Sequence, residues 1–103
     1  MSALAIIVTE PDRIDAALRL AAAAAALSRP VAMLFDGNAV TSLRHGVAPQ
    51  LLGDAMALGV RVTACQTGLA AAGMNADALA SGIDTGGMVG FLAEQAGAQV
   101  VLA

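Results

Sequence analysis

Short aliphatic runs alternate with longer segments of helical period along this chain, and that alternation sets the first expectation. Leu4–Val8 is apolar at every position. This is the pattern of a strand buried on both faces. Thr9-Glu10-Pro11-Asp12 follows, with a capping hydroxyl, a proline and acids suited to the first turn of a helix. That helix is predicted to run to about Ser28. On a helical wheel Asp12, Asp15, Arg19, Ala22 and Ala26 share one face, and Ile14, Leu18, Ala21 and Ala25 share the opposite one. Leu20 and Leu27 lie on a third, so the apolar arc is wider than packing against a sheet requires. Two readings stay open: alanines chosen as good helix formers, or a subunit contact.

Val31–Phe35 reads as the second strand, stopped by the turn residues Asp36-Gly37-Asn38. A looser stretch, 39–48, carries Arg44 and His45. Pro49 opens a second helix over 50–58, with Gly59 just past its end. The third strand is expected at 60–64, with Cys65 directly after it. A short helix over 66–72 closes at Gly73, a further helical turn lies within 75–81, and Ile83 marks a brief fourth strand. Asp84-Thr85-Gly86-Gly87 leads into a helix over 88–96, closed by Gly97, and Gln99–Leu102 is the last strand. Strands alternating with helices imply parallel pairing and right-handed crossovers. The expected fold is therefore α/β: a flavodoxin-like three-layer sandwich of one domain, 1–103, with a mostly parallel sheet of four to five strands and helices on both faces. Sites in such sheets gather beyond the carboxyl ends of the strands. That rule singles out residues 9–12, 36–45, 65–68 and 84–87.

Composition narrows the function. At 103 residues, of which 58 % are hydrophobic, a domain this small has a high surface-to-volume ratio and is expected to cover part of its apolar surface by forming a homo-oligomer. The longest unbroken apolar run, 20–27, is far short of the roughly 20 residues that span a bilayer, so no membrane insertion is expected. The opening Met1-Ser2-Ala3-Leu4 lacks the basic start of a signal peptide. The net charge is −3, all five basic residues are Arg, and only two residues are aromatic, which argues against nucleic-acid binding. One His and one Cys cannot build a zinc site, and no metal or other cofactor is expected. A single Cys forms no intrachain disulfide, which fits a reducing, cytoplasmic setting. The turn after the first strand has no glycine and holds two carboxylates, so it repels the phosphates that a nucleotide site must cradle.

Cys65 is the candidate reactive group. At the junction of a strand with a helix, its sulfur would sit beside free amides and the positive end of the helix dipole, which favour the thiolate. Gln66, Thr67 and Gly68 would supply amides, with Gly68 leaving one side open to a reactant. Arg44 and His45, in the loop after the second strand, are candidates to lower the thiol pKa or orient a substrate. Gly86 and Gly87 are candidate binding positions in the last turn. The alternative is a lone cysteine packed as a small hydrophobe.

The stretch Val60-Arg61-Val62-Thr63-Ala64-Cys65-Gln66-Thr67-Gly68-Leu69, then Gly73-Met74 and the run from Leu79 through Gly82-Ile83-Asp84-Thr85-Gly86-Gly87-Met88, resembles the DsrE/DsrF-like family of small sulfur-relay-related α/β proteins. The likeness extends over nearly the whole chain. It implies a sulfurtransferase-type role in which Cys65 accepts sulfur as a persulfide from a donor protein and hands it to an acceptor, within an oligomer. A non-catalytic oligomeric module that binds a small molecule or protein, with a structural Cys65, is the competing expectation. Thiol peroxidase chemistry is a third, and it would need a resolving thiol from outside.

Overall fold

The computed structural model describes residues 2–103. Strands β1 (Leu4–Val8), β2 (Val31–Phe35), β3 (Arg61–Cys65), β4 (Asp84–Gly86) and β5 (Gln99–Leu102) form one sheet in the order β4-β3-β2-β1-β5, parallel at every pairing. Helices α1 (Ile14–Ala26), α2 (Gln50–Ala57), α3 (Gln66–Ala71) and α4 (Met88–Glu94) connect them. The chain steps in one direction from β1 to β4, then returns to the far side of β1, so strand order reverses between β1 and β5. This is the flavodoxin-like sandwich that the alternation of segments predicts, with helices on both faces.

The register divides the core in two. Leu4 pairs with Val31, Ile6 with Met33 and Val8 with Phe35; these residues, with Val62 and Ala64 of β3, form the first face. α1 covers it with Ile14, Leu18 and Ala21, α2 with Leu52 and Ala55, and α3 with Leu69. The alternate residues Ala5, Ile7, Ala32, Leu34 and Cys65 form the second face, which is covered by Phe91 and the partly buried Met88 of α4. The first face thus carries most of the packed volume, and the second rests on one seven-residue helix.

Several local expectations change. No side chain caps the first helix: a 3-10 turn, Pro11–Arg13, precedes α1, and the Thr9 hydroxyl makes no capping bond. Proline fixes the φ of that turn, which serves where the hydroxyl does not. α1 ends at Ala26, and Ser28 adopts the left-handed region at φ 66°, the conformation in which helices commonly terminate. The stretch read as loose holds a 3-10 helix, Gly37–Leu43, which buries Ala39, Val40 and Leu43. The helical turn within 75–81 is a single 3-10 turn, Ala76–Ala78. The fourth strand is not at Ile83 but at Asp84–Gly86, formed by residues that sequence assigns to a turn; β3 supplies the pairing that its own side chains do not announce. β3 also lies one residue further on than expected, so Cys65 is its last member.

Gly68 is needed for packing. A β-carbon there would lie 3.1 Å from the Gly37 carbonyl oxygen and from Val40 Cγ1, and 3.2 Å from the Gly37 nitrogen. Backbone atoms cannot step aside as a flexible side chain can, so Gly68→Ala will destabilise the fold by about 1–3 kcal/mol, the usual cost of overpacking. Gly53, inside α2 with nothing within 4 Å of its virtual β-carbon, is the control. Gly53→Ala will raise stability by about 0.5–1 kcal/mol, because alanine restricts the unfolded chain. Urea midpoints followed by far-UV circular dichroism will separate the two.

Candidate functional site

Part of the carboxyl edge of the sheet, where a site is expected, is occupied by protein. Gly37, at φ 54°, brings its backbone so close to β1 that a β-carbon would lie 3.2 Å from the Thr9 carbonyl oxygen, and Gly68 presses on Gly37 from the other side. The 3-10 helix Gly37–Leu43 therefore plugs that part of the edge, its start lying between the residue after β1 and the first turn of α3. This corrects the expectation for Gly68: the glycine admits the backbone of the plug rather than leaving a side open to a reactant.

Cys65 ends β3 and is the N-cap residue of α3 (φ −69°, ψ 126°), the junction anticipated from sequence. Its side chain makes no capping hydrogen bond to the helix. It turns onto the second face of the sheet, only 5 % exposed, among Ala5, Ile7, Ala32, Leu34 and Phe91. The expectation of a solvent-open sulfur is thereby overturned. The cause lies far along the chain: Met88 and Phe91 of α4 close over a position that β3 alone would leave half open. Gln66 and Thr67 are exposed on the first turn of α3, while Gly68 is buried.

Arg44 and His45 do not join Cys65. Both are exposed, and their loop is tied to the segment after the 3-10 turn by an antiparallel bridge between Arg44 and Leu79 and by a bond from the His45 amide to the Ala78 carbonyl. His45 lines a cleft of about 380 Å³ with Gln50, Asp54, Met56 and Ser81. That cleft adjoins α2, which packs on the first face, whereas Cys65 belongs to the second.

Other polar residues share the face of the sheet on which Cys65 lies. Arg61 and Thr63 precede it on the same face of β3, since alternate strand residues share a face. With Asp84, Gly86 and Gly87 and with Gly90, Phe91 and Glu94 of α4, they line a second cleft of about 380 Å³. Gly86 pairs directly with Cys65 across β3 and β4. Phe91 belongs both to this cleft and to the apolar cluster around Cys65, so its ring is the partition between them. Gly86 and Gly87 line this cavity together with Arg61, Thr63 and Phe91, three residues that the sequence reading does not single out. The period-two series Arg61, Thr63, Cys65 carries the signal for the first two; nothing local carries it for Phe91. Among the described residues, no group of three or more His, Cys, Asp or Glu side chains could hold a metal ion, and no helix is long and apolar enough to cross a membrane.

No protein-family profile matches the chain, and no curated protein matches it in sequence. Solved structures do. The YchN protein from E. coli superposes with a TM-score of 0.88 at 22 % identity, covering 100 % of both chains. A protein of unknown function from Methanobacterium thermoautotrophicum superposes with a TM-score of 0.81 at 20 % identity, again over 100 % of both. At these identities the likeness establishes the fold as one that other proteins share.

Proposed function

We propose that this chain is a DsrE/DsrF-like sulfur-relay protein that holds sulfane sulfur as a persulfide on Cys65. The observation that carries the reading is the placement of the chain's one cysteine. It closes β3 and occupies the N-cap position of α3, beside amides that have no partner within the helix. In the step, the Cys65 thiolate attacks the outer sulfur of a donor R–S–SH. The donor S–S bond breaks, R–S⁻ departs, and Cys65–S–SH forms with no net oxidation. Return of that sulfur to an acceptor thiolate is the same exchange reversed.

Burial fits storage. A persulfide beneath Met88 and Phe91 is screened from stray thiols that would strip it. Loading then requires α4 to lift, and α4 is lightly held: Phe91 is its only buried residue, Gly86 and Gly87 precede it, and Gly97 follows it at φ 84°. Short, sparsely packed elements are the ones that open locally below the global unfolding free energy. We further propose that the protein works as a homo-oligomer of the reducing cytoplasm, meeting sulfur-donor and sulfur-acceptor proteins. Leu20 on α1 and Leu27 just past its end, Val89 and Leu92 on α4, and Val100 and Leu102 on β5 all stand exposed, which supports burial between copies.

The competing reading, a non-catalytic oligomeric binding module with a packed Cys65, is favoured by the 5 % exposure of that residue. Native-state alkylation decides between them. For a carrier, intact mass will rise by one sulfur atom on incubation with a persulfide donor, and the rate of thiol labelling will be nearly insensitive to low urea, the mark of a local opening. For a packed cysteine there is no mass gain, and labelling will follow global unfolding with its full urea dependence.

A further inference from the structure

The cleft beside α4 holds charges of both signs that the fold does not consume. Arg61 stands on its floor, Asp84 on β4 and Glu94 at the end of α4. All three are exposed, and none makes a side-chain hydrogen bond or ion pair with another described residue; the ion pair present joins Arg19 to Asp15 on α1. An unpaired guanidinium is a fork suited to a carboxylate. Two unpaired carboxylates suit an ammonium group. A cavity offering both, with the Thr63 hydroxyl and the apolar edge of Phe91, matches a small zwitterion better than a simple anion, which Asp84 and Glu94 would repel. Its volume of about 380 Å³ lies within the range of small-molecule sites.

Resting on the sulfur-relay reading above, we propose that this cleft seats the sulfur donor, and that the donor is a low-molecular-weight zwitterionic persulfide: an amino acid or short peptide bearing an ammonium group, a carboxylate and –S–SH. Position supports the assignment. Cys65 follows Thr63 by two residues on the same face of β3, a rise of roughly 7 Å. Gly86, its pairing partner, lines the cleft without a side chain to block the way. Phe91 both lines the cleft and belongs to the apolar cluster around Cys65, so its displacement connects donor to thiol. On transfer the outer sulfur, with its hydrogen, passes to Cys65; the donor S–S bond breaks; and the donor leaves as a free thiolate.

S-methyl-L-cysteine, which has both charges and cannot transfer sulfur, is the probe, titrated into the isotope-labelled full chain. Amide resonances of Thr63, Gly86, Gly87 and Gly90 will shift and saturate at millimolar concentrations. Methylthioethylamine, which lacks the carboxylate, and methylthiopropionate, which lacks the ammonium, will each bind at least tenfold more weakly. Arg61→Ala, at an exposed position, will weaken S-methyl-L-cysteine tenfold or more and leave methylthioethylamine unchanged, consistent with loss of a charge-assisted bond. Equal binding of all three probes, or shifts elsewhere on the surface, overturns the proposal. If protein persulfides load Cys65 while the zwitterion does not bind, the relay reading stands and this donor class falls. If the zwitterion binds at the cleft and no persulfide of any kind loads Cys65, the relay reading and the donor role fall together.

Discussion

Cys65→Ser and Cys65→Ala will both fold and both fail to gain sulfur. The wild-type protein will take up one sulfur atom per chain from a persulfide donor; either variant will take up none, because no other side chain in the chain is a thiol. Two substitutions are needed because they perturb the core differently. Serine places a hydroxyl among Ala5, Ile7, Leu34 and Phe91, at a cost of about 1–3 kcal/mol if it finds no partner. Alanine instead leaves a small void. If both variants retain the wild-type circular dichroism spectrum and neither gains mass, the loss belongs to the sulfur and not to the fold. Labelling of a variant to the wild-type extent would remove Cys65 from the chemistry.

Phe35→Ala will be more damaging to stability than any of the other substitutions. Phe35 is fully buried at the carboxyl end of β2, on the first face, and ranks first by volume among the fully buried side chains. Its removal costs about 3–5 kcal/mol, transfer and cavity terms combined. A domain of this size is stable by about 5–15 kcal/mol in total. The variant will therefore lose a large share of its stability, from about a fifth to nearly all of it. Phe91→Ala makes the informative comparison. Its ring is also buried, but it lies on the thinly covered second face, where the neighbouring helix can settle. Its effect on the urea midpoint will be smaller, while Cys65 alkylation will accelerate tenfold or more. With no Trp or Tyr in the chain, circular dichroism is the appropriate probe of unfolding. Similar midpoints for the two variants would mean that both faces contribute alike, contrary to the division seen in the core.

What is legible in the sequence follows a physical rule. β1 and β2 can be read to the residue because they are unbroken apolar runs bounded by turn or helix signals, and β5 because Val100-Val101-Leu102 follows the helix stop at Gly97. α1 can be read because its buried stripe of Ile14, Leu18 and Ala21 keeps helical period. β4 is expected from Ile83 but lies just after it, since Asp84 and Gly86 are poor strand formers and the pairing is set by the free edge of β3. The position of Cys65 at a strand–helix junction is readable locally, but its burial is not. That burial depends on Phe91, 26 positions later in the sequence, and on a crossover that folds α4 back over the sheet. Arg44 and His45 lie in a different neighbourhood from the expected one for a related reason: loop residues carry no periodicity, so nothing in their spacing says on which side of the sheet they emerge.

The plug at the carboxyl edge has an evolutionary implication. Where the Gly37–Leu43 turn plugs that edge, a larger side chain at Gly37 or Gly68 meets backbone at once, because Gly37 packs against the Thr9 carbonyl and Gly68 against Gly37. The span from β4 through α4 bears little of the fold's weight and overlies the sulfur, so it is free to diverge. Specificity in chains of this architecture is therefore expected to drift through substitutions between positions 84 and 98, with the remaining scaffold held nearly constant.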